Sequence, residues 1–155
     1  MSRNANSQIP VTTPCVGICS TVFGDTVCRG CKRYADEIIE WNRFSQDEKQ
    51  AVDARLQAHL MQILGDKVHI EDEQRFADAL IDNNIRYMKN RPSLCWVNDL
   101  LRTNVLEQQG FEPFGLVLAE EYAALSIAEF RDLIDNELLV LSEAHHQRFI
   151  QTGKA

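Results

Sequence analysis

From Tyr34 onward, apolar residues recur at spacings of three and four, the period of helices with one buried face. Tyr34, Ile38 and Trp41, with Ile39 beside them, form a first stripe. Ser45-Gln46-Asp47-Glu48 has the form of a capping box, in which Ser45 and Glu48 each satisfy the other's backbone donor. It opens a second helix striped by Val52, Leu56, Leu60 and Ile63/Leu64, and Gly65 predicts its end in a left-handed conformation. A third helix is expected from about Glu71, with Phe76, Leu80, Ile81, Ile85 and Met88 on one face. Pro92 stops it by excluding Arg91 from helical dihedrals. Ser93 then caps a fourth, carrying Leu94, Trp96, Val97, Leu100, Leu101 and Val105. Residues 110–115 are a turn-rich break, and the apolar run 116–119 suits strand or helix equally. Ser126-Ile127-Ala128-Glu129 is a second capping box. Its helix runs through Phe130, Leu133, Ile134, Glu137, Leu138 and Leu141, with fraying expected near His145.

The N-terminal part has a different texture. Residues 1–13 are rich in Ser, Thr, Asn and Gln without periodicity, which predicts a flexible tail. Residues 20–27 place β-branched and aromatic side chains on both sides of Gly24-Asp25, the pattern of a short β-hairpin. The expected fold is therefore mainly α. A small metal-bound four-cysteine module over residues 14–64, hairpin then helix, precedes a mostly helical acidic region of about four helices over 65–155.

Charge narrows the partners. The chain has 155 residues and a formal net charge of −7. Residues 1–50 carry six basic and six acidic side chains, whereas 51–155 carry ten against seventeen, so the excess acid lies in the second part. Such a surface repels phosphate backbones and argues against nucleic-acid binding, leaving another protein as the expected partner. The first eight residues lack the apolar stretch of a secretory signal. No apolar run approaches the roughly 20 residues that span a bilayer, so no membrane role and a cytoplasmic address are expected.

Four of the five cysteines, Cys15, Cys19, Cys28 and Cys31, fall within 17 residues. A reducing compartment does not maintain structural disulfides, so a cluster of this density reads as metal binding or redox chemistry. Two close pairs joined by a hairpin-sized loop bring four sulfurs to one tetrahedral point, and pair spacings of two to four residues are those of structural zinc sites. A tetrathiolate zinc is a net anion. The second pair is expected to open a helix whose free amides offset that charge. Arg29, Lys32 and Arg33 add positive charge, as charge compensation for the thiolates or as contacts to a partner. Four thiolates also hold iron–sulfur clusters, although the spacing matches neither common ferredoxin run. Cys28-Arg29-Gly30-Cys31 by itself reads as a redox dithiol, without the βαβ pattern that accompanies such pairs.

The segments Pro14-Cys15-Val16-Gly17-Ile18-Cys19, Gly24-Asp25, Cys28-Arg29-Gly30-Cys31-Lys32-Arg33 and Asp36-Glu37-Ile38, with Trp41 following, resemble a small bacterial family. It is catalogued as a domain of unknown function (number 1289). Its members carry four cysteines ahead of a helix and are commonly labelled predicted iron–sulfur proteins. The resemblance covers residues 14–60. It implies that Cys15, Cys19, Cys28 and Cys31 are the ligand positions, and it raises an iron–sulfur cluster beside zinc as the cofactor.

The remaining candidates read as structure. Cys95 lies on an apolar stretch and is expected as a small buried hydrophobe. His145 and His146 are expected at the surface of a last turn, pointing in different directions, and His59 and His69 are isolated. Trp41, Trp96, Phe111 and Phe114 are expected in cores, with Phe111 and Phe114 alternatively forming an exposed docking patch. No nucleophile elbow, phosphate loop or His-Glu-x-x-His is present, so a binding protein rather than an enzyme is expected. The functional expectation is a cytoplasmic metal-binding protein whose metal is structural and whose helical region docks a partner. Iron–sulfur electron transfer or sensing, and CxxC dithiol oxidoreduction through Cys28 and Cys31, are the alternatives.

Overall fold

The computed structural model describes Pro14 and residues 20–151, the side chains at 22, 23 and 149–151 excepted. The expected tail 1–13, Cys15 and Cys19 lie outside the described residues. The chain divides into two compact units, one of residues up to His59 together with those from Glu137, the other Leu60–Asn136.

In the first unit the expected hairpin around Gly24-Asp25 is replaced by a 3-10 turn over Ser20–Phe23. Gly24 closes it with φ 99° and an amide N–H that donates a hydrogen bond to the Thr21 carbonyl at 3.0 Å. A residue with a Cβ is strained at that φ. The local antiparallel pairing falls one step later, as a single bridge between Val27 and Tyr34 that encloses the second cysteine pair. Helix α1 (Ala35–Ile39) follows, and Trp41–Arg43 form a separate 3-10 turn, so the first predicted stripe is two short elements. Ile39 is consequently 77% exposed, while Trp41 packs with Val52, Leu56 and Phe44. The Ser45–Glu48 capping box forms as expected, with bonds of 2.8 and 3.2 Å, and opens α2 (Gln46–Leu64).

The second unit begins inside α2, whose Leu60 and Leu64 are buried. Gly65 ends the helix as predicted but without a left-handed φ. Its need for glycine is a close approach, since a Cβ there would lie 2.8 Å from the Met61 carbonyl oxygen. Strand β1 (Val68–Ile70), too short to carry a period, pairs antiparallel with β2 (Leu116–Leu118) in the register Val68↔Leu118, His69↔Val117, Ile70↔Leu116. The apolar run after Gly115 is therefore a strand.

Helix α3 (Glu73–Asp82) is shorter than the pattern predicts. Asn84 turns left-handed at φ 58°, and the Ile85 amide bonds back to the Leu80 carbonyl at 2.9 Å, the signature of a helix stop. Ile85 is buried by this loop, whereas Ile81 and Met88 are 55% and 37% exposed and do not share its face. The Trp96 indole pins the loop through the Met88 carbonyl at 2.9 Å. Helix α4 (Ser93–Leu101) has Pro92, not Ser93, at its N-cap, and Val105 belongs to a separate α5 (Val105–Gln109). Phe76, Phe114 and Phe130 are fully buried, with Phe76 edge-on to Phe114 and Phe111 edge-on to Phe130. This places Phe111 and Phe114 in packing contacts rather than a docking patch. The Ser126–Glu129 capping box also forms, at 2.9 and 3.1 Å, and opens α6 (Ile127–Gln151). That helix continues past His145 instead of fraying there. Among the described residues no helix is long and apolar enough to cross a membrane.

Candidate metal centre

Cys28 and Cys31 are both buried, at 1% and 7% exposure. The turn that carries them is closed twice. The Cys28 amide donates to the Arg33 carbonyl, and the Lys32 amide donates to the Cys28 carbonyl, each at 2.9 Å. Lys32 takes φ 67°, which bends the chain back and separates Cys31 from α1. The expectation that the second pair opens a helix is thereby corrected, since α1 starts only at Ala35. The amides near the Cys28 sulfur come from turn residues, not from a helix. Burial pushes the Cys28 thiol up, but hydrogen bonds from the amides of Cys31, Ser20 and Gly30, and from the Cys31 side chain, outweigh it and bring it down to about 7. Burial dominates at Cys31 and holds its thiol above the ordinary value, although Arg33 pulls the other way.

The three cations that the sequence groups together have three different positions. Arg29 points outward, 3.3 Å from Asp25, while its amide donates to the Ser20 hydroxyl at 2.9 Å. Lys32 is buried, and its ammonium bonds the Arg29 and Gly30 carbonyls, tying the turn shut. Arg33 is buried and reaches a sulfur, donating Nε to Cys31 Sγ at 3.3 Å. Ser20, which contributes both an amide and a hydroxyl to this turn, is covalently bonded to Cys19. Among the described residues, no group of three or more His, Cys, Asp or Glu could hold a metal.

A polar cluster of the same unit was not visible in the sequence. The Glu37 carboxylate accepts the Tyr34 amide at 2.9 Å and binds Arg55 through two bonds of 2.6 and 2.8 Å. The Arg55 guanidinium lies 4.0 Å over the Tyr34 ring. The Tyr34 hydroxyl reaches His145 Nδ1, and its ring packs on His146 at 4.4 Å between centroids. His145 stands edge-on to His59 at 5.3 Å. His145 and His146 are thus half-buried and converge on one ring, contrary to the surface expectation. His59 is 7% exposed and its Nδ1 has no hydrogen-bond partner among the described residues. Its position on the Val52/Leu56/Leu60 face of α2 was the one available signal of burial. Desolvation, then His145 and Arg55, lower His59 to about 4. Cys95 is buried at 1%, as expected.

Residues 13–60 match the family model described as "Protein of unknown function (DUF1289)". The chain is 49% identical over 43 residues to the Uncharacterized protein YdhL of Escherichia coli (strain K12), 28% of this chain and 53% of that protein. The Uncharacterized protein YdhL of Shigella flexneri gives the same figures. The chain spans about half the length of the curated relatives it matches. No solved structure matches it.

Proposed function

We propose that residues 14–64 are a four-cysteine metal-binding module of a cytoplasmic protein. Cys15, Cys19, Cys28 and Cys31 hold one zinc ion or one iron–sulfur cluster, and the helical remainder docks a partner protein. The observation that supports this most is the Cys28 sulfur surrounded by amide donors, one of them from Ser20, the chain neighbour of Cys19. Amide donors around a sulfur stabilise thiolate, the form that ligates metal. The donor set therefore fits either group: Cys28 accepts turn amides, Cys31 accepts from Arg33, and Lys32 and Arg29 stand within the same turn. Zinc would supply a cross-link between the two cysteine pairs. A closed shell of four thiolates leaves no open position, so the role is structural rather than catalytic. An iron–sulfur cluster would supply reversible electron uptake, and the same sulfur donors would tune its potential.

The deciding experiment is anaerobic purification of the untagged chain with zinc, iron and acid-labile sulfide measured per chain. One zinc without sulfide assigns the structural metal. Iron with matching sulfide assigns the redox role. Neither metal in a folded chain overturns the proposal and turns attention to Cys28 and Cys31 as a dithiol pair.

A further inference from the structure

Two contacts single out Arg33. Its Nε donates to Cys31 Sγ at 3.3 Å, and its guanidinium carbon lies 4.6 Å from the centre of the Trp41 ring. Both residues are buried, at 4% and 6% exposure. Trp41 is itself fixed between Val52, Leu56 and Phe44. A flat, weakly hydrated guanidinium on an indole face keeps one orientation, which an ammonium on a flexible stem does not. We infer that Arg33 is a positioning residue of the cysteine site: clamped on Trp41, it aims Nε at the Cys31 sulfur and holds that sulfur ready for the metal. The inference rests on the four-cysteine reading above. Among the described residues Arg29 pairs with Asp25, and the Lys32 ammonium bonds the Arg29 and Gly30 carbonyls.

The test compares the full chain with Arg33→Met, Arg33→Lys and Trp41→Phe, and with Arg43→Gln as a control for loss of an exposed positive charge. Zinc affinity is read anaerobically by competition with a chromophoric chelator, after circular dichroism has established folding. Groups that orient metal ligands typically contribute 10–100-fold in affinity, and a loss of about that size is expected for Arg33→Met. Arg33→Lys restores little of it, because lysine has neither Nε nor the flat face, and Arg43→Gln matches the wild type. If the wild type holds a cluster instead, the readout is its reduction potential. That falls in Arg33→Met, because a lost cationic donor disfavours the added electron. Wild-type affinity or potential in Arg33→Met, or full rescue by lysine, overturns the inference and leaves the metal reading standing. Should Arg33→Met not fold, Trp41→Phe decides: weaker binding supports the clamp, and unchanged binding overturns it. A wild type that takes neither zinc nor a cluster overturns the metal reading, and this inference with it.

Discussion

The Tyr34 hydroxyl meets Nδ1 of His145 at 2.6 Å, joining the segment just after the last clustered cysteine to a helix position 111 residues further along. Burial pushes the Tyr34 phenol above its ordinary value and pulls the His145 imidazolium below its own, so a protonated phenol faces a neutral imidazole. Replacing Tyr34 by Phe keeps the ring beneath Arg55 and removes only this bond. The expected loss is about 1 kcal/mol of unfolding free energy, read from the urea midpoint. The same substitution made in a His145→Ala chain should then change little.

The paired histidines set a pH dependence. His59 in the folded chain titrates at about 4, against an ordinary 6.5. As pH falls through 6.5, the unfolded chain takes up a proton that the folded chain refuses, so stability declines until the folded state also protonates near 4. The contribution is fully present above 6.5 and lost between 6.5 and 4, with a slope of at most about 1.4 kcal/mol per pH unit for one group. His145 is displaced in the same direction, by burial first and then by Arg55 and Arg148, and adds to the decline. Glu37 and His146 also stand beside His145. His59→Leu, measured by denaturation at several pH values, should give a shallower fall over that window.

Arg55 and Glu37 form a well-shielded ion pair, their side chains 15% and 13% exposed. Truncating either one leaves a charge in a poor environment, and a loss of about 3 kcal/mol is expected for Glu37→Ala or Arg55→Ala. The double variant should be markedly more stable than the sum of the two losses predicts. Additive losses in a double-mutant cycle would show that the pair contributes nothing jointly.

Gly65→Ala tests the other unit. The new methyl group would meet the Met61 carbonyl oxygen at 2.8 Å, and backbone has no easy way to yield. A destabilisation of about 1–3 kcal/mol is expected from thermal unfolding, in keeping with other overpacked positions. A neutral outcome would mean that the end of α2 relaxes.

Much of the candidate site is legible along the chain. The spacing of Cys15, Cys19, Cys28 and Cys31 is a local pattern, and the family match over residues 13–60 falls on the same stretch. The three cations after it are legible as a group, but not as individuals. Their separation into one solvent pair, one turn clasp and one sulfur donor follows from the left-handed Lys32, which no neighbour in sequence announces.

Sequence alone determined the features whose partners lie within one helical turn. Ser45 with Glu48 and Ser126 with Glu129 are such pairs, because each capping box closes between residues three apart. It also determined the α2 stripe, where Val52, Leu56, Leu60 and Leu64 bury one repeating face. Tertiary structure decided the rest. A three-residue strand such as Val68–Ile70 carries no measurable period and exists because Leu116–Leu118 pairs with it. The early stop of α3 depends on Asn84 turning left-handed while Trp96 holds the Met88 carbonyl. Tyr34, Arg55, His59 and His145 converge only after distant helices have packed. Local hydrogen bonds are specified by a few adjacent side chains, whereas contacts across the chain are selected by which apolar faces bury together.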